Sequence, residues 1–181
     1  MSVQNKNRLE IQKILIDSIK ECIRLFSDSE WGVMAYADAS FQKADKIVLV
    51  NLIGTERIGW QSRKYDSDIH NVFHRTDEFI DEQSWQIHTI AKRNNKTTVA
   101  NTLAEDMANN LITWFNGFAV DGLRSKGVAP LRIDTENVIV YNDNSDLYQK
   151  RAVFTVKLQV PKEVKITQAE MAAVKPKLMP I

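Results

Sequence analysis

The chain has 181 residues, of which 44% are hydrophobic and 26% charged, and these values are typical of a soluble globular protein with one core. Its 24 basic and 23 acidic residues leave a formal net charge of +1, which excludes a global field that would attract nucleic acid or an anionic membrane. A single cysteine excludes an intramolecular disulfide framework. The polar start does not resemble a signal peptide, and no run approaches the roughly 18 apolar residues of a membrane helix, so we expect a protein made and kept in a reducing cytosol.

The first predicted element is a long amphipathic helix from about Arg8 to Phe26. Its apolar side chains recur at helical spacing: Ile11, Ile14, Leu15, Ile19, Cys22, Ile23 and Phe26. Cys22 belongs to this stripe, where a thiol usually behaves as a small buried hydrophobe, so we predict a structural rather than a reactive cysteine. The segment Ser27-Asp-Ser29 is typical of a helix stop or a new cap.

The next hundred residues begin with strands. Residues Trp31 to Phe41 fit either a strand or a loop, whereas the β-branched run Lys46 to Ile53 predicts a well-buried strand. Gly54-Thr-Glu56 then predicts a turn, with Arg57 to Tyr65 as the returning strand of a hairpin. The polar residues Asp66 to Asp81 predict an excursion at the edge of the sheet.

A further strand is predicted from Gln83 to Lys92, because Trp85, Ile87 and Thr89 alternate with Gln86, His88 and Ile90. After a polar loop, a second long helix is predicted from about Thr98 to Phe115. Asn116-Gly117 is typical of the left-handed device that ends a helix, and a short helical piece is predicted for Ala119 to Ser125.

The last predicted elements are a strand at Leu131 to Ile133 and a hairpin. In the hairpin, Val138 to Tyr141 pairs with Asp146 to Val160 across an acidic turn. The second strand has one core-directed face, formed by Ala152, Phe154, Val156, Leu158 and Val160. Its other face, which includes Thr155, Lys157 and Gln159, is predicted to be wet or to meet a partner.

The order of helix, strands, helix and strands predicts an α+β fold, in which two main helices cover one face of a mostly antiparallel or mixed sheet. We predict a single domain over residues 1–161. Beyond Pro161 the sequence is rich in proline and lysine and has little periodicity. Residues 162–181 are therefore predicted to be a loosely held C-terminal extension that becomes ordered against a neighbour.

One histidine pair could hold a metal. His70 and His74 stand four residues apart, just after Asp66 and Asp68, and on a helix this spacing would place both imidazoles on one face. The segment has no helical periodicity, however, and no glutamate follows the first histidine as in a zincin. Surface histidines in a charged loop are the better interpretation, and we predict no metal site.

Other sequence motifs of metal-binding proteins and enzymes are incomplete or absent as well. Residues Asn142 to Asp146 are rich in oxygen ligands like a calcium loop, but the sixth position is not glycine, and Val153 or Phe154 stands where the bidentate glutamate should be. The sequence contains no glycine-rich phosphate motif and no Gly-x-Ser-x-Gly elbow, and Cys22 has no evident histidine partner. We therefore predict no catalytic or cofactor-binding residues, and a protein that is not an enzyme.

Two further groups of residues could bind a partner. The basic run Lys92 to Lys96 could face nucleic acid in a channel, but it lacks interleaved aromatic residues, and a solvated loop is favoured. The aromatic residues are more typical of a core or a subunit contact than of a ligand platform: Trp31, Trp60, Trp85, Trp114 and Phe115.

Two stretches together carry a resemblance to a known family. The first runs from Trp85 to Phe115 and the second from Val128-Ala-Pro-Leu-Arg-Ile133 through the acidic hairpin to Asp146-Leu-Tyr-Gln-Lys-Arg-Ala-Val-Phe-Thr-Val-Lys-Leu158. In the order of its elements and in local sequence, the chain from about Lys46 to Val160 resembles the neck or tail terminator proteins of tailed bacteriophages, also called gateway proteins.

The resemblance implies a structural virion protein at the head–tail junction, made in the cytoplasm of the host bacterium. It implies a homo-oligomeric ring, expected to be a hexamer, that terminates the tail tube, with tube or sheath proteins below and a head connector or collar above. DNA would pass through the lumen without specific binding. Two alternatives remain open: a head-completion or connector protein that docks to the portal, and a small metal-dependent phage enzyme that uses His70 and His74.

Overall fold

The structure is a computed structural model that describes residues 5–27, 30–35, 45–67, 73–92, 100–133, 139–142 and 149–167. In chain order the elements are α1 (Arg8–Phe26), β1 (Gly32–Ala35), β2 (Lys46–Ser67), β3 (Phe73–Lys92), α2 (Ala100–Thr113), a π-helix (Trp114–Phe118), α3 (Val120–Ser125), β4 (Ala129–Pro130), β5 (Ile139–Asn142) and β6 (Gln149–Thr167). Within this part of the chain they form one sheet in the order β1-β2-β3-β6-β4, and β5 also pairs with β6. Only the pairing of β1 with β2 is parallel, so the predicted α+β fold with a mixed sheet is confirmed.

Helix α1 has the predicted bounds, and a capping box fixes its start. The Asn7 side chain accepts a hydrogen bond from the Glu10 backbone nitrogen at 2.9 Å, and the Glu10 carboxylate accepts one from the Asn7 nitrogen at 2.6 Å. This reciprocal pair satisfies two of the backbone donors that every helix start leaves free. Most of the predicted apolar stripe, including Cys22, is buried in the core, whereas Ile14 is half-buried and Phe26 at the end of the helix is 44% exposed.

The helices cover one face of the sheet, which we call the helix-side face; the opposite face is the outer face. The core contains residues of α1, α2 and the π-helix packed on β2, β3 and β6, among them Trp85, Phe115 and Phe154. Buried polar groups in it are paired: the Trp114 indole nitrogen donates to Ser18 Oγ at 2.9 Å, and Thr89 Oγ1 donates to the Ala104 carbonyl at 2.7 Å.

The predicted hairpin turn at Gly54-Thr-Glu56 is wrong, because β2 continues through it for 22 residues. The register against β3 shifts between Leu52 and Gly54 and again between Ile58 and Ser62, where Gly59 has φ +78°. A glycine inside a strand often marks a bulge rather than a reversal. The two glycines lie at or within the register shifts, and the strand continues past both.

The predicted polar excursion from Asp66 to Asp81 is also wrong. Asp66 lies at the end of β2 opposite His74 of β3, and antiparallel pairing is continuous with only the two register shifts from Lys46↔Ala91 to Ser67↔Phe73. Residues 66–67 and 73–81 are therefore part of the sheet, and residues 68–72 lie outside the described residues. Polar side chains lie on both faces of the sheet here, so the segment lacks the apolar alternation that marks a strand in the sequence.

The second helical region differs from the prediction at its end. Gly117 lies inside the π-helix, and among the described glycines only Gly59 and Gly127 have positive φ. The Asn116 side chain instead bonds both backbone groups of Ile133, accepting from its nitrogen and donating to its oxygen at 2.8 Å each. The predicted strand at Leu131–Ile133 is displaced to Ala129–Pro130, which pairs with Gln159 and Leu158.

The C-terminal hairpin is confirmed, with Ile139 opposite Val153; its turn, residues 143–148, lies outside the described residues. Strand β6 does not end at Val160 but passes through Pro161 to Thr167, so the prediction of a loose extension is wrong for residues 162–167. Past Gln159 no described strand pairs with the outer edge of β6, and an edge is where a strand tolerates proline. Residues 168–181 lie outside the described residues.

Candidate functional site: the extended arm of the sheet

Three strands are much longer than the core that they support. β2, β3 and β6 have 22, 20 and 19 residues, against a usual length of about five or six. The buried apolar residues stop at Val50 on β2, begin at Trp85 on β3 and stop at Val160 on β6. We define the arm as residues 54–67 of β2, 73–84 of β3 and 157–167 of β6. At about 3.3 Å per residue it extends roughly 40 Å.

The strand registers assign each arm residue to a face. Asp77 lies opposite Arg63 and Val164, and these three continue the helix-side face that carries Trp85. Glu78 lies opposite Glu163 in β6 and, on β2, opposite Ser62, so these residues continue the outer face. The observed side-chain contacts agree with this assignment, because each ion pair of the arm joins residues of the same face.

A buried carboxylate organises the helix-side face. Asp77 is 5% exposed. Arg75 Nη2 lies 3.0 Å from its Oδ2, and Arg63 Nε lies 3.7 Å from its Oδ1. Two guanidinium groups therefore flank one carboxylate. Nearby, the Arg57 guanidinium carbon lies 3.7 Å above the centre of the Phe79 ring, which is a cation–π contact.

The outer face carries ion pairs across adjacent strands. Lys64 Nζ lies 2.6 Å from Glu78 Oε1, and Lys157 Nζ lies 2.7 Å from Glu82 Oε1. The hydrogen bond and the negative charge of Glu82 raise the pKa of Lys157 above its usual value. Glu56 is exposed on the same face. The positions of Lys157 and Gln159 confirm the predicted polar face of β6.

The arm exposes apolar side chains on both faces. Tyr65 is 67% and Val164 is 44% exposed on the helix-side face, and Ile80 is 39% exposed on the outer face. Single exposed apolar residues are ordinary on protein surfaces. Here they stand beyond Val160, where the core residues of β6 end, and exposed apolar groups in such a place are typical of a contact surface.

The N-terminal segment ties down the outer edge of β6. The Asn5 side chain bonds both backbone groups of Glu163, accepting from its nitrogen at 2.8 Å and donating to its oxygen. The Lys162 ammonium group donates to the Lys6 carbonyl. These contacts satisfy part of an edge that a strand would otherwise leave open for pairing.

Of the candidate histidine pair, only His74 lies in the described part of the chain. His74 lies in a strand, not in a helix, so the spacing of four no longer brings it onto a common helical face with His70. His70 and Asp68 lie outside the described residues. Among the residues with a described position, no group of three or more His, Cys, Asp or Glu could hold a metal ion.

The third histidine, His88, is buried on the outer face. Its Nδ1 accepts a hydrogen bond from Arg151 Nε at 2.8 Å, and Nε2 lies 2.9 Å from Gln86 Oε1. Burial, with a smaller effect from the Arg151 charge, lowers the pKa of His88 from 6.5 to about 4. The imidazole is therefore neutral at pH 7, with the proton on Nε2, and it is held as a structural group.

Cys22 is buried as predicted. Its sulfur lies 3.8 Å from the Asn110 carbonyl oxygen, and burial raises the pKa of the thiol to about 12. Because the thiolate is the nucleophilic form, this cysteine is unsuited to catalysis.

The aromatic residues predicted to lie in a core or a subunit contact have different surroundings. Trp85, Trp114 and Phe115 are in the core, and Trp31 packs partly buried against it; the side chain of Trp60 lies outside the described part. The exposed edge of this group was not predicted: Phe26 and Phe118 contact Trp114, with ring centroids 6.1 and 6.0 Å away. Phe118 follows a glycine after the predicted helix end, so no periodicity marked it.

Beside the π-helix lies an open cavity of about 500 Å³. It is lined by Phe115, Asn116, Val120, Arg124, Pro130, Leu131 and Arg132. Its polar groups do not form a nucleophile with a base, since the Asn116 amide is engaged with Ile133.

Of the predicted basic run, Lys92 ends β3, and residues 93–96 lie outside the described range. None of the described helices is long and apolar enough to cross a membrane.

Comparison with known proteins agrees with the fold. Over residues 10–169 the sequence matches the family of the E217 gateway protein gp29. Among solved structures, the sheath/tube terminator of an extracellular contractile injection system, PVC, in its extended state, is similar with a TM-score of 0.52 and 9% identity.

At that identity the likeness concerns the fold alone. The similarity covers 93% of this chain but only 60% of the terminator chain. No curated protein matches the sequence. The family match spans most of the chain, from the first turns of α1 to the end of β6, and it confirms the predicted resemblance. The chain therefore belongs to the bacteriophage family of the E217 gateway protein gp29.

Proposed function

We propose that the protein is a structural component of the phage head–tail junction, where it forms a hexameric ring that terminates the tail tube and joins it to the head connector. Membership of the gateway family and a fold shared with a sheath/tube terminator support this role. The proposal includes no enzymatic step, because the protein acts through assembly.

The observation that carries the proposal is the arm. The three paired strands of the arm extend roughly 40 Å, only Leu158 and Val160 of it belong to the core, and the arm exposes Tyr65, Val164 and Ile80 together with many charges. Such a surface adds little to the stability of a single subunit. In a closed ring, each subunit needs two different patches that meet head to tail, and the two faces and edges of the arm provide them.

The partners follow from this position. Tail tube or sheath proteins lie below the ring, and a head connector or collar lies above it. DNA passes through the lumen, which we propose is lined by mixed polar groups without specific binding, in agreement with the nearly neutral net charge of the chain. Residues 168–181, which follow Thr167 at the tip of the arm, form an extension that contacts a neighbouring subunit. The ring is assembled from chains made in the host cytoplasm and resides in the virion.

Two measurements test the proposal. Native mass spectrometry of the purified chain should show a closed hexamer, and cryo-electron microscopy of the phage that encodes it should place six copies at the neck. A chain that is monomeric at every concentration and does not occur at the neck would contradict the proposal. A twelvefold ring on the portal would instead support the head-completion alternative.

A further inference from the structure

We propose that, within the ring, the helix-side face of one arm packs on the outer face of the neighbouring subunit's arm. The occupant of each face is thus a second copy of this chain. The inference rests on the proposed ring and deepens it, because it names the two surfaces that meet.

The charges of the arm are segregated between its faces. The helix-side face carries four basic and two acidic side chains: Arg57, Arg63, Arg75 and Lys162 with Asp77 and Asp81. The outer face carries five acidic and three basic ones: Glu56, Asp66, Glu78, Glu82 and Glu163 with Lys64, Lys157 and Lys165. One face is therefore net positive and the other net negative, although the whole chain is nearly neutral.

Local contacts leave these net charges in place. Asp77 is shared by Arg63 and Arg75, so it neutralises only one of the two guanidinium groups. Arg57 contacts the Phe79 ring, and an aromatic ring does not neutralise a cation. On the outer face, Lys64 pairs with Glu78, Lys157 with Glu82 and Lys165 with Glu163, so its three basic groups offset three of its five acidic ones.

The apolar groups lie where such a contact needs them. Tyr65 and Val164 are exposed among the basic residues, and Ile80 is exposed among the acidic ones. Burial of these side chains would supply affinity, whereas the charges would set orientation and exclude wrong pairings.

The same distribution selects head-to-tail assembly. Two helix-side faces, or two outer faces, would bring like charges together, and this opposes a two-fold dimer through either face. A helix-side face on an outer face brings opposite charges together. Repetition of this unlike contact generates a ring when the rotation closes.

Charge reversal tests the contact. One variant combines Arg57→Glu with Arg63→Glu on the helix-side face, and a second combines Glu56→Lys with Asp66→Lys on the outer face. Each variant alone should assemble at least ten-fold more weakly than wild type in sedimentation velocity. A 1:1 mixture should recover rings, because reversed helix-side faces meet reversed outer faces, and native mass spectrometry should find three copies of each variant.

Matched controls place the same charge changes on the exposed side of α1: Lys13→Glu with Lys20→Glu, and Asp17→Lys with Glu21→Lys. Both should form rings as wild type does; a control that fails equally would assign the effect to net charge and overturn the inference. Wild-type rings with unaffected arm variants, or folded variants that the mixture does not rescue, would also overturn it while leaving the ring proposal intact. A wild-type chain that forms no ring would contradict the proposed function itself.

Discussion

His88 of β3 and Arg151 of β6 are joined by a hydrogen bond of 2.8 Å, in which the arginine Nε donates to the histidine Nδ1. A donor at Nδ1 places the ring proton on Nε2, next to Gln86 Oε1. Protonation of the ring would put a second cation beside Arg151 in a buried position. The bond therefore couples the fold to the neutral form of His88.

We predict that this coupling makes stability depend on pH. Since the folded pKa of His88 is lowered to about 4 from 6.5, the unfolded chain binds a proton first as pH falls. The stabilisation is complete above about pH 6.5 and is lost as pH falls towards 4, with an upper limit of about 3 kcal/mol.

Urea unfolding at intervals from pH 7 to 4.5 measures this effect. In the His88→Gln variant, the amide can still accept from Arg151 and donate to Gln86, but it does not titrate. The variant should lose less stability than wild type over this range. Equal losses would show that other groups cause the acid sensitivity.

Local sequence determines some elements of this fold and not others. Helix α1 was predictable because its apolar side chains recur at helical spacing within one continuous segment. The burial of His88 was not, because Arg151 is 63 residues away. The family could be predicted from the order of elements between Lys46 and Val160, which survives errors in their bounds.

The arm, too, could not be predicted from local sequence. Gly54-Thr-Glu56 predicts a turn and the polar residues Asp66 to Asp81 predict an excursion, yet the described residues of both segments lie in strands. In the structure, pairs such as Lys64 with Glu78 join polar residues across strands. In the arm, cross-strand polar pairs of this kind stand where a strand usually buries apolar residues. The sequence of one strand does not reveal them, because their two members come from different strands.

We predict that the buried carboxylate of the arm is important for stability. Asp77→Ala would leave Arg75 and Arg63 without their shared partner, and removal of one member of a buried ion pair typically costs about 3 to 5 kcal/mol. Because Arg63 is half exposed, we expect a smaller loss, about 2 kcal/mol. Denaturant unfolding measures the loss, with the exposed Asp106→Ala on α2 as the control. A change no larger than that of the control would show that the arm does not depend on Asp77.

A third prediction concerns the two hydrogen bonds between the Asn116 side chain of the π-helix and the backbone of Ile133, which we call the clamp. Asn116→Ala removes two hydrogen bonds and leaves both backbone groups of Ile133 without this partner. We expect a loss of about 2 kcal/mol, since unpaired buried polar groups cost about 1 to 3 kcal/mol each and solvent can partly replace the amide here. The exposed Asn109→Ala on α2 is the matched control, and it should be neutral or slightly stabilising because alanine favours helices. Equal stability of the two variants would contradict the role of the clamp.

The only thiol of the chain supplies a reporter of unfolding. Cys22 is fully buried in the core, and its pKa of about 12 keeps the thiolate population low at pH 8. We therefore expect a thiol reagent such as Ellman's reagent to react with the native protein only as fast as the core opens, and at least a hundred-fold faster in 6 M urea. The matched variant Cys22→Ala should give no reaction, and Asn110→Ala should leave protection unchanged, because the Asn110 contact to the sulfur uses its backbone oxygen. Rapid labelling of the native wild type would show that α1 is separated from the sheet in solution, which contradicts the packing on which the fold depends.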